Sequence, residues 1–419
     1  MTSRFLAMIL GAACAGFVAG TLQGFEAFVS LNIRWILLAV LMLALFLTPR
    51  FYSGLRNAFG VALIFYVCWC FLTILWSDEL TLSLSKVIAL AIVAPSFIGA
   101  GALVAKKQSL DKAFNFALLL SLLAVLACFG SADPALGPVD ESLFSGRISS
   151  PNMFGILHAM AIPLALWRQH IHRKQILIRS VWLALIALHL TMIYYSGSRG
   201  ALLVSLSTIS FYVVALGVKW VLLAGTSGLV VSLAAMFFAP SVVEHLQERL
   251  IYKGASTDQG IFYSRDDPWR ESLAAAHRGG WIGGGYGVSV GATGFTGGLS
   301  TLGYGREKGN SQLAVMEETG IVGLIFYILL HLCLMLTLLQ GYFTSDRLLR
   351  VAHCIATGVV FGMFFNSVFE GWWVAPGSPE FPYFCTMCGV SIGLAQLAAR
   401  QRVRARRTQP ISSQSRAQT

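Results

Sequence analysis

The sequence predicts an all-α polytopic membrane protein with one large loop outside the membrane. Hydrophobic residues make up 56% of its 419 residues and charged residues only 12%, whereas soluble domains carry roughly 25% charged residues. The mean hydropathy is +0.71. Apolar runs of about 20 residues, the length that crosses a bilayer as a helix, recur along the chain, so we expect about 12 transmembrane helices.

The predicted spans divide the chain into four regions. They lie near residues 5–22, 34–48, 57–76, 82–104, 113–131, 152–168, 179–196, 199–217, 219–239, 317–340, 350–369 and 381–399. Residues 1–239 hold helices 1–9, and residues 317–399 hold helices 10–12. Residues 240–316 are rich in Gly, Ser, Thr and charge, which predicts a water-exposed loop with short helices. The composition of the basic tail, residues 400–419, predicts disorder.

The distribution of charge predicts how the helices are oriented. Most basic residues fall on one side of the spans, among them Arg50, Arg56, Lys106 and Lys107, and the tail RQRVRARR lies on that side too. Because basic loops stay in the cytoplasm, we expect both termini there and residues 240–316 on the outer side. The net charge of +11 is therefore an orientation signal, and we predict membrane lipids but no nucleic acid as partners.

Two features stand out in the outer loop. SRDDPWRESLAAAHR predicts a short helix with Asp267 as its N-cap and Pro268 at its first position. GGWIGGGYG follows, and its glycines let the backbone approach a ligand or another segment closely. No Walker loop, haem motif or zinc spacing occurs, so we predict no cofactor and no metal. Cys385 and Cys388 form a CxxC in an apolar run without a second pair, and we interpret them as small apolar residues.

Basic residues near the outer ends of the spans are candidates for binding an anion. Lys86, Arg147 and Arg199 lie on the side where the positive-inside rule disfavours cations, and Arg265 and Lys308 join them from the loop. Guanidinium groups bind phosphate oxygens bidentately, so a phosphate or pyrophosphate headgroup is the expected ligand. As alternatives, Arg147 and Arg199 snorkel to lipid phosphates, and Arg265 forms a salt bridge with its neighbouring aspartates.

The segment REKGNSQLAVMEETG carries unusual charge directly before an apolar run. Asn310 or Ser311 is expected to cap the helix that continues into the membrane. Glu317 and Glu318 then point about 100° apart on a helix of 3.6 residues per turn, so we expect one of them, Glu318, to face a cavity. His277 is the best-placed histidine, because it lies in the outer loop and not on an apolar span.

Four local patterns, in this order, resemble those of a known family. They are RISSPN at 147–152, SGSRGA at 196–201, Ser264-Arg265 with Trp269 and IGGGYG after it, and GNSQL followed by EETGIVG. With its many spans and large loop, the chain resembles the O-antigen ligase and polysaccharide polymerase superfamily of bacterial inner-membrane proteins. The resemblance implies a metal-independent, inverting glycosyltransferase whose site faces the periplasm. Its donor would be an oligosaccharide on undecaprenyl pyrophosphate, and its acceptor a glycan or lipid A–core.

The resemblance also assigns roles to residues. Arg199 and Arg265 match the arginines that are thought to hold the pyrophosphate. Ligases of the family carry a His-Asn pair where this chain has Gly309-Asn310, so the base that activates the acceptor stays open. The candidate bases are Glu307, Glu317, Glu318 and His277. The substrate-binding candidates are Lys86, Arg147, Asn152, Lys308, Asn310, Glu317 and Glu370.

Several alternatives remain at this point. A lipid A–core ligase and an exopolysaccharide or O-antigen repeat-unit polymerase are about equally favoured. A multi-span transporter or lipid-linked glycan flippase is the alternative from another class, and a non-catalytic assembly partner is a third. The lack of an internal repeat and the placing of charge at one face argue against transport. Trp372 and Trp373, beside Glu370, either stack on the glycan or belong to an interfacial aromatic belt.

Overall fold

The computed structural model describes residues 3–24, 31–49, 51–129, 143–148, 150–239, 241, 263–288, 308–344 and 346–408. The regular secondary structure of this part consists of α-helices and short 3-10 turns, joined by irregular segments. They are α1 (Ser3–Ala19), α2 (Leu31–Phe46), α3 (Ala58–Leu72), α4 (Leu80–Lys107), α5 (Leu118–Ala127), α6 (Pro151–Ile171), α7 (Ile176–Ser196), α8 (Arg199–Leu216), α9 (Val218–Phe238), α10 (Tyr263–Gly279), α11 (Ser311–Tyr342), α12 (Arg347–Asn366) and α13 (Glu380–Thr408). Within these residues no β-strand occurs, only an isolated bridge between Leu22 and Ile148.

Eight helical stretches of the described residues are long and apolar enough to cross a membrane. They are Ala58–Trp76, Leu80–Lys107, Leu110–Ala127, Ile176–Ser196, Arg199–Leu216, Ser311–Tyr342, Arg347–Asn366 and Glu380–Val403. Shorter apolar helices cover Arg4–Ala19, Ile33–Phe46 and Val218–Val230. The all-α class of a polytopic membrane protein is therefore confirmed, whereas the count of about 12 transmembrane helices stays a prediction.

Helix α6 is deeply enclosed in the bundle. Every residue from Phe154 to Trp167 is buried, and α5, α7 and α8 pack against it. It is not among the eight candidate spans. Because its side chains contact protein and not lipid, α6 tolerates polar residues such as Asn152 and His158 that lower its hydropathy.

Small residues bring the other central helices close together. Gly101 of α4 faces the backbone of Thr386 in α13, and Gly362 of α12 lies where a Cβ would be 2.6 Å from the Cα of Val204 in α8. Transmembrane helices associate through such small residues because their backbones can then pack closely. These contacts join α4 to α13 and α8 to α12; α4 and α8 carry the candidates Lys86 and Arg199.

Helix α11 is broken at Gly320. This residue has φ 69° and ψ −173°, so Ser311–Thr319 and the longer part that follows are two helical segments joined at a bend. Such a backbone conformation is essentially restricted to glycine. The sequence predicts a span near residues 317–340. The structure instead starts the helix at Ser311 and bends it before the long apolar part begins.

Two predicted boundaries are wrong. Helix α10 begins at Tyr263 and contains Pro268 in its interior, so Asp267 is not its N-cap. Helix α13 continues to Thr408, beyond the predicted start of the disordered tail, because its Ala- and Arg-rich end favours helix. Of the predicted outer loop, residues 240, 242–262 and 289–307 lie outside the described residues.

Candidate functional site

Three helices begin at the same end of the bundle, which we call the site end. Helices α6, α8 and α11 start there, and the side chains of Ser150, Ser198 and Asn310 accept hydrogen bonds from their first turns. The Asn310 bond, from the N–H of Leu313, is 2.9 Å long, which confirms the predicted cap. The first N–H groups of a helix give its N-terminus a partial positive charge.

Residues 366–371 join these helix starts. The N–H of Ser311 donates to the carbonyl of Ser367 at 2.8 Å, and Asn310 Nδ2 donates to the carbonyl of Val368 at 2.9 Å. Asn152 Nδ2, in the first turn of α6, donates to Glu370 Oε1 at 3.0 Å. The segment after α12 therefore contacts α6 and α11 through hydrogen bonds.

Helix α8 meets the same segment through a glycine. A Cβ on Gly200 would overlap the amide of Asn366, which in turn accepts a 2.8 Å hydrogen bond from Trp372 Nε1. Arg199, the first residue of α8, is half-buried beside this contact. The structure thus brings Arg199, Asn152, Asn310 and Glu370 to one end of the bundle, which the sequence alone left open.

A buried cluster of opposite charges lies next to these helix starts. Lys308 Nζ is 2.5 Å from Glu318 Oε1 and 3.6 Å from Glu317 Oε2, and all three side chains have 0% exposure. Lys308 also donates to the carbonyl of Val288 at 3.2 Å. Lys86, 1% exposed, donates to the carbonyl of Gly287 at 2.9 Å. We call Lys86, Lys308, Glu317 and Glu318 the ion cluster.

The ion cluster fastens the glycine-rich segment 280–288, which we call the glycine loop. The N–H of Gly287 donates to Glu318 Oε2 at 2.6 Å. The N–H groups of Gly284 and Gly285 donate to the carbonyls of Glu317 and Glu318 at 3.0 and 2.9 Å. No Cβ fits at position 287, since it would overlap the Lys86 side chain. The glycines therefore serve close packing against α4 and α11.

Tyr286 also packs where the glycine loop contacts α4. It is fully buried; its N–H donates to Thr73 Oγ1 at 3.0 Å, and its carbonyl accepts from Ser83 Oγ at 2.7 Å. Burial raises the pKa of the phenol well above its usual range, because the phenolate would lose its hydration. Tyr286 is therefore a neutral packing residue that ties the loop to α4 and to the 3-10 turn after α3.

The burial of the ion cluster bears on two predicted roles. Glu318 is predicted to face a cavity; its carboxylate is paired with Lys308 and accepts from the N–H of Gly287 in the glycine loop. Lys308, considered a phosphate ligand, has its ammonium group occupied by the same carboxylate. Glu370 differs from both, because it is half-buried and lies where the helix starts meet.

The structure describes the remaining candidates only in part. Arg265 lies in the first turn of α10, and its side chain is outside the described part of the chain, as is all of Glu307. His277 is exposed near the other end of α10. Arg147 is exposed before α6; its N–H and carbonyl bond to Ala127 and Gln23.

Gly309 occupies the position where a histidine is expected, and the structure leaves little space there. Trp269 Nε1 donates to the Gly309 carbonyl at 3.0 Å, and its ring stacks on Phe369 with centroids 5.9 Å apart. A Cβ on Gly309 would lie 2.9 Å from the Cβ of Pro268. The indole of Trp269 therefore packs against the place that a longer side chain at 309 would need.

Trp372 and Trp373 do not fit either predicted role. Their exposed fractions are 4% and 3%, and Trp373 Nε1 donates to Tyr66 OH at 3.2 Å inside the bundle. They are core residues, neither a surface for sugars nor part of an interfacial belt. Sequence reasoning missed Asn366, whose amide links α8 to Trp372, because nothing in its local pattern separates it from a helix end.

Comparisons with protein-family models and with curated proteins found no match to this chain. The resemblance to the O-antigen ligase superfamily thus stays a prediction that depends on the four sequence patterns. The structure adds that these patterns belong to one contiguous region, in which RISSPN and SGSRGA start α6 and α8 and the glycine loop packs on EETG of α11.

Proposed function

We propose that the chain is an O-antigen ligase-like glycosyltransferase. It would move a glycan from an undecaprenyl-pyrophosphate carrier to an acceptor at the periplasmic face of a bacterial inner membrane, with both termini in the cytoplasm. A lipid A–core ligase and a repeat-unit polymerase remain the two forms of this proposal. The motif resemblance supports the reaction class, and the positive-inside pattern supports the orientation.

One observation carries the proposal: the starts of α6, α8 and α11 meet around residues 366–371 together with Arg199. Helix N-termini attract anions, and an arginine binds phosphate oxygens bidentately. A pyrophosphate at this end would therefore meet donors on several rigid helices. Glu370 lies in the same place, and of Glu317, Glu318 and Glu370 it is the one that keeps partial exposure.

The proposed step is an inverting displacement at the anomeric carbon. The acceptor hydroxyl attacks this carbon and passes its proton to a carboxylate, for which we favour Glu370 oriented by Asn152. The bond between the anomeric carbon and the phosphate oxygen breaks, and the electron pair leaves with the pyrophosphate. Arg199 and Arg265 would stabilise the charge on the leaving oxygens.

A transporter or lipid-linked glycan flippase is the second candidate, because the broken helix α11 resembles the discontinuous helices of transporters. There, the backbone groups freed at a break bind the substrate. Here the carbonyls of Glu317 and Glu318 accept from the glycine loop, and that of Thr319 accepts from Trp69. The N–H groups of Ile321 and Val322 donate to the loop as well. The break thus serves loop docking, which favours the transferase.

The test is transfer by the purified full-length protein in nanodiscs, with an undecaprenyl-pyrophosphate oligosaccharide and either a second such molecule or lipid A–core as acceptor. We expect Arg199→Ala and Arg265→Ala each to lose roughly 10²–10³-fold in rate, as when one donor to a developing oxyanion is removed. Arg270→Ala, an exposed charge on α10, is the matched control. Unchanged transfer in both arginine variants would refute the assigned roles.

Glu370→Gln tests the base. It should abolish transfer while leaving donor binding intact, whereas His277→Ala should leave transfer unchanged.

Movement of the oligosaccharide across proteoliposome membranes, measured by its accessibility to an added glycosidase, tests the flippase. Movement without transfer to either acceptor would replace the first proposal with the second.

A further inference from the structure

The glycine loop presents two large apolar side chains to the outside of the protein. Trp281 is 69% exposed and Ile282 is 46% exposed, although both lie in the predicted water-exposed loop. We propose that this pair is seated in the boundary between headgroups and acyl chains of the bilayer, so that the glycine loop is a lipid-contact surface. This inference does not depend on the enzymatic activity.

The backbone beneath the pair is held rigidly. The N–H of Ile321 donates to the Gly280 carbonyl at 3.1 Å, and the N–H of Val322 donates to the Trp281 carbonyl at 3.2 Å. The loop therefore continues the hydrogen bonding of α11 across the Gly320 break. Trp281 and Ile282 are displayed by fixed structure, so their exposure is a property of the fold.

Neighbouring residues show that the pair lies at the level of the membrane interface. Trp76 ends the candidate span Ala58–Trp76, and its Nε1 donates to the Gly283 carbonyl at 3.1 Å. The exposed residues Asp78 and Glu79 follow directly. The apolar surface of α3 thus gives way to charge at the height of the glycine loop, and tryptophan is enriched at this boundary in membrane proteins.

The exposed face of α11 continues the apolar surface towards the membrane. Below the bend, large apolar residues recur every three or four positions on one side of the helix. They are Ile325, Ile328, Leu329, Leu332, Leu336 and Leu339, each at least 45% exposed. Such a stripe on a membrane-spanning helix faces lipid. The Trp281 carbonyl accepts from the N–H of Val322, which lies three residues before Ile325 and so one turn from the start of this stripe. This continuity favours lipid as the occupant.

The position of the glycine loop also determines the position of one end of α10. It ends at Gly279, and the glycine loop begins at the next residue, so seating Trp281 in the interface also fixes the height of that end of α10. A Cβ at Gly279 would lie 2.7 Å from the Glu317 carbonyl, which shows how closely this end is packed on α11. The Gly279 end of α10 is therefore held at the level of the membrane interface.

The experiment places a polarity-sensitive fluorophore at the pair. Cys68→Ala, which removes an exposed thiol, is the background and labelling blank. Trp281→Cys and Ile282→Cys are labelled with a thiol-reactive NBD dye in the full-length protein in nanodiscs, and Arg270→Cys on the exposed side of α10 is the matched control. Quenching is measured with a nitroxide on the lipid acyl chain and with aqueous iodide.

We expect the label at 281 to emit at shorter wavelength and to be quenched by the lipid nitroxide, and the label at 270 to be quenched by iodide. Equal iodide quenching at 281 and 270, with no effect of the nitroxide, would overturn the proposal and leave Trp281 as a water-exposed surface for a sugar. If Trp281→Cys does not fold, the Ile282→Cys protein decides by the same comparison.

Discussion

Replacing Lys308 with methionine removes an ammonium group that donates both to the Glu318 carboxylate and to the Val288 carbonyl of the glycine loop. The pair is fully buried, with Lys308 Nζ 2.5 Å from Glu318 Oε1. Removing one partner of a buried ion pair costs about 3–5 kcal/mol, because the remaining charge is left without compensation. Lys86 still interacts electrostatically with Glu318, and the N–H of Gly287 still donates to it. We therefore expect Lys308→Met to destabilise by about 3 kcal/mol, the lower end of that range.

The double variant Lys308→Met with Glu318→Gln separates charge from packing. Because the glutamine is neutral and can still accept from Gly287, the double variant should be more stable than Lys308→Met alone. The coupling energy between the two positions should fall within the ~0.5–3 kcal/mol seen for residues in contact. Lys107→Met, an exposed lysine on the same helix as Lys86, is the control and should change stability by less than about 0.5 kcal/mol.

Unfolding of the purified variants in mixed micelles gives the free energies, and hydrogen exchange of peptides covering residues 280–288 gives the local response. We expect the glycine loop to exchange faster in Lys308→Met and to recover in the double variant. Additive effects of the two substitutions, or a Lys308→Met protein as stable as Lys107→Met, would refute the ion cluster as the element that fastens the loop.

Three further substitutions test other parts of the site end. Gly320→Ala should prevent folding, since an alanine there adopts a backbone conformation that costs about 1–3 kcal/mol and overlaps the loop; Gly225→Ala in α9, where a Cβ meets nothing within 4 Å, should fold normally in a size-exclusion assay. Gly309→His should lower the unfolding temperature and leave transfer no faster, because the imidazole has to displace Trp269. Trp373→Phe should lower the free energy of unfolding by about 1–3 kcal/mol, because the buried hydroxyl of Tyr66 loses the N–H that donates to it. If Trp373 instead stacked on a sugar, the substitution would raise KM and leave the stability unchanged.

Local patterns predicted the features that local physics controls. Apolar runs gave the helical class, and the Asn310 cap was predictable because a cap depends on residues only three positions apart. The ion cluster was not predictable, since Lys86 and Gly287 meet only through the packing of α4, the loop and α11. The break at Gly320 was not predictable for a related reason, because a glycine in an apolar helix is common and its conformation here depends on the docked loop.

The charged residues at the site end divide into two groups, those inside the ion cluster and those outside it. Lys86 and Lys308 face Glu317 and Glu318, so the ion cluster is formally neutral and presents little net field to an anionic substrate at any distance beyond its own size. In the proposed reaction, the positive potential at the pyrophosphate would then come from Arg199, the helix starts and Arg265.

A glycine in place of histidine at 309 is consistent with this division. In the packed arrangement of Trp269 over Gly309, this position supports the loop and α10, while the proton acceptor is sought among carboxylates that keep contact with water. Glu370, anchored by Asn152 on a different helix, satisfies both requirements. If transfer in the Glu370→Gln protein equalled that of the unmodified protein while Glu318→Gln lost it without loss of stability, this assignment would have to be reversed.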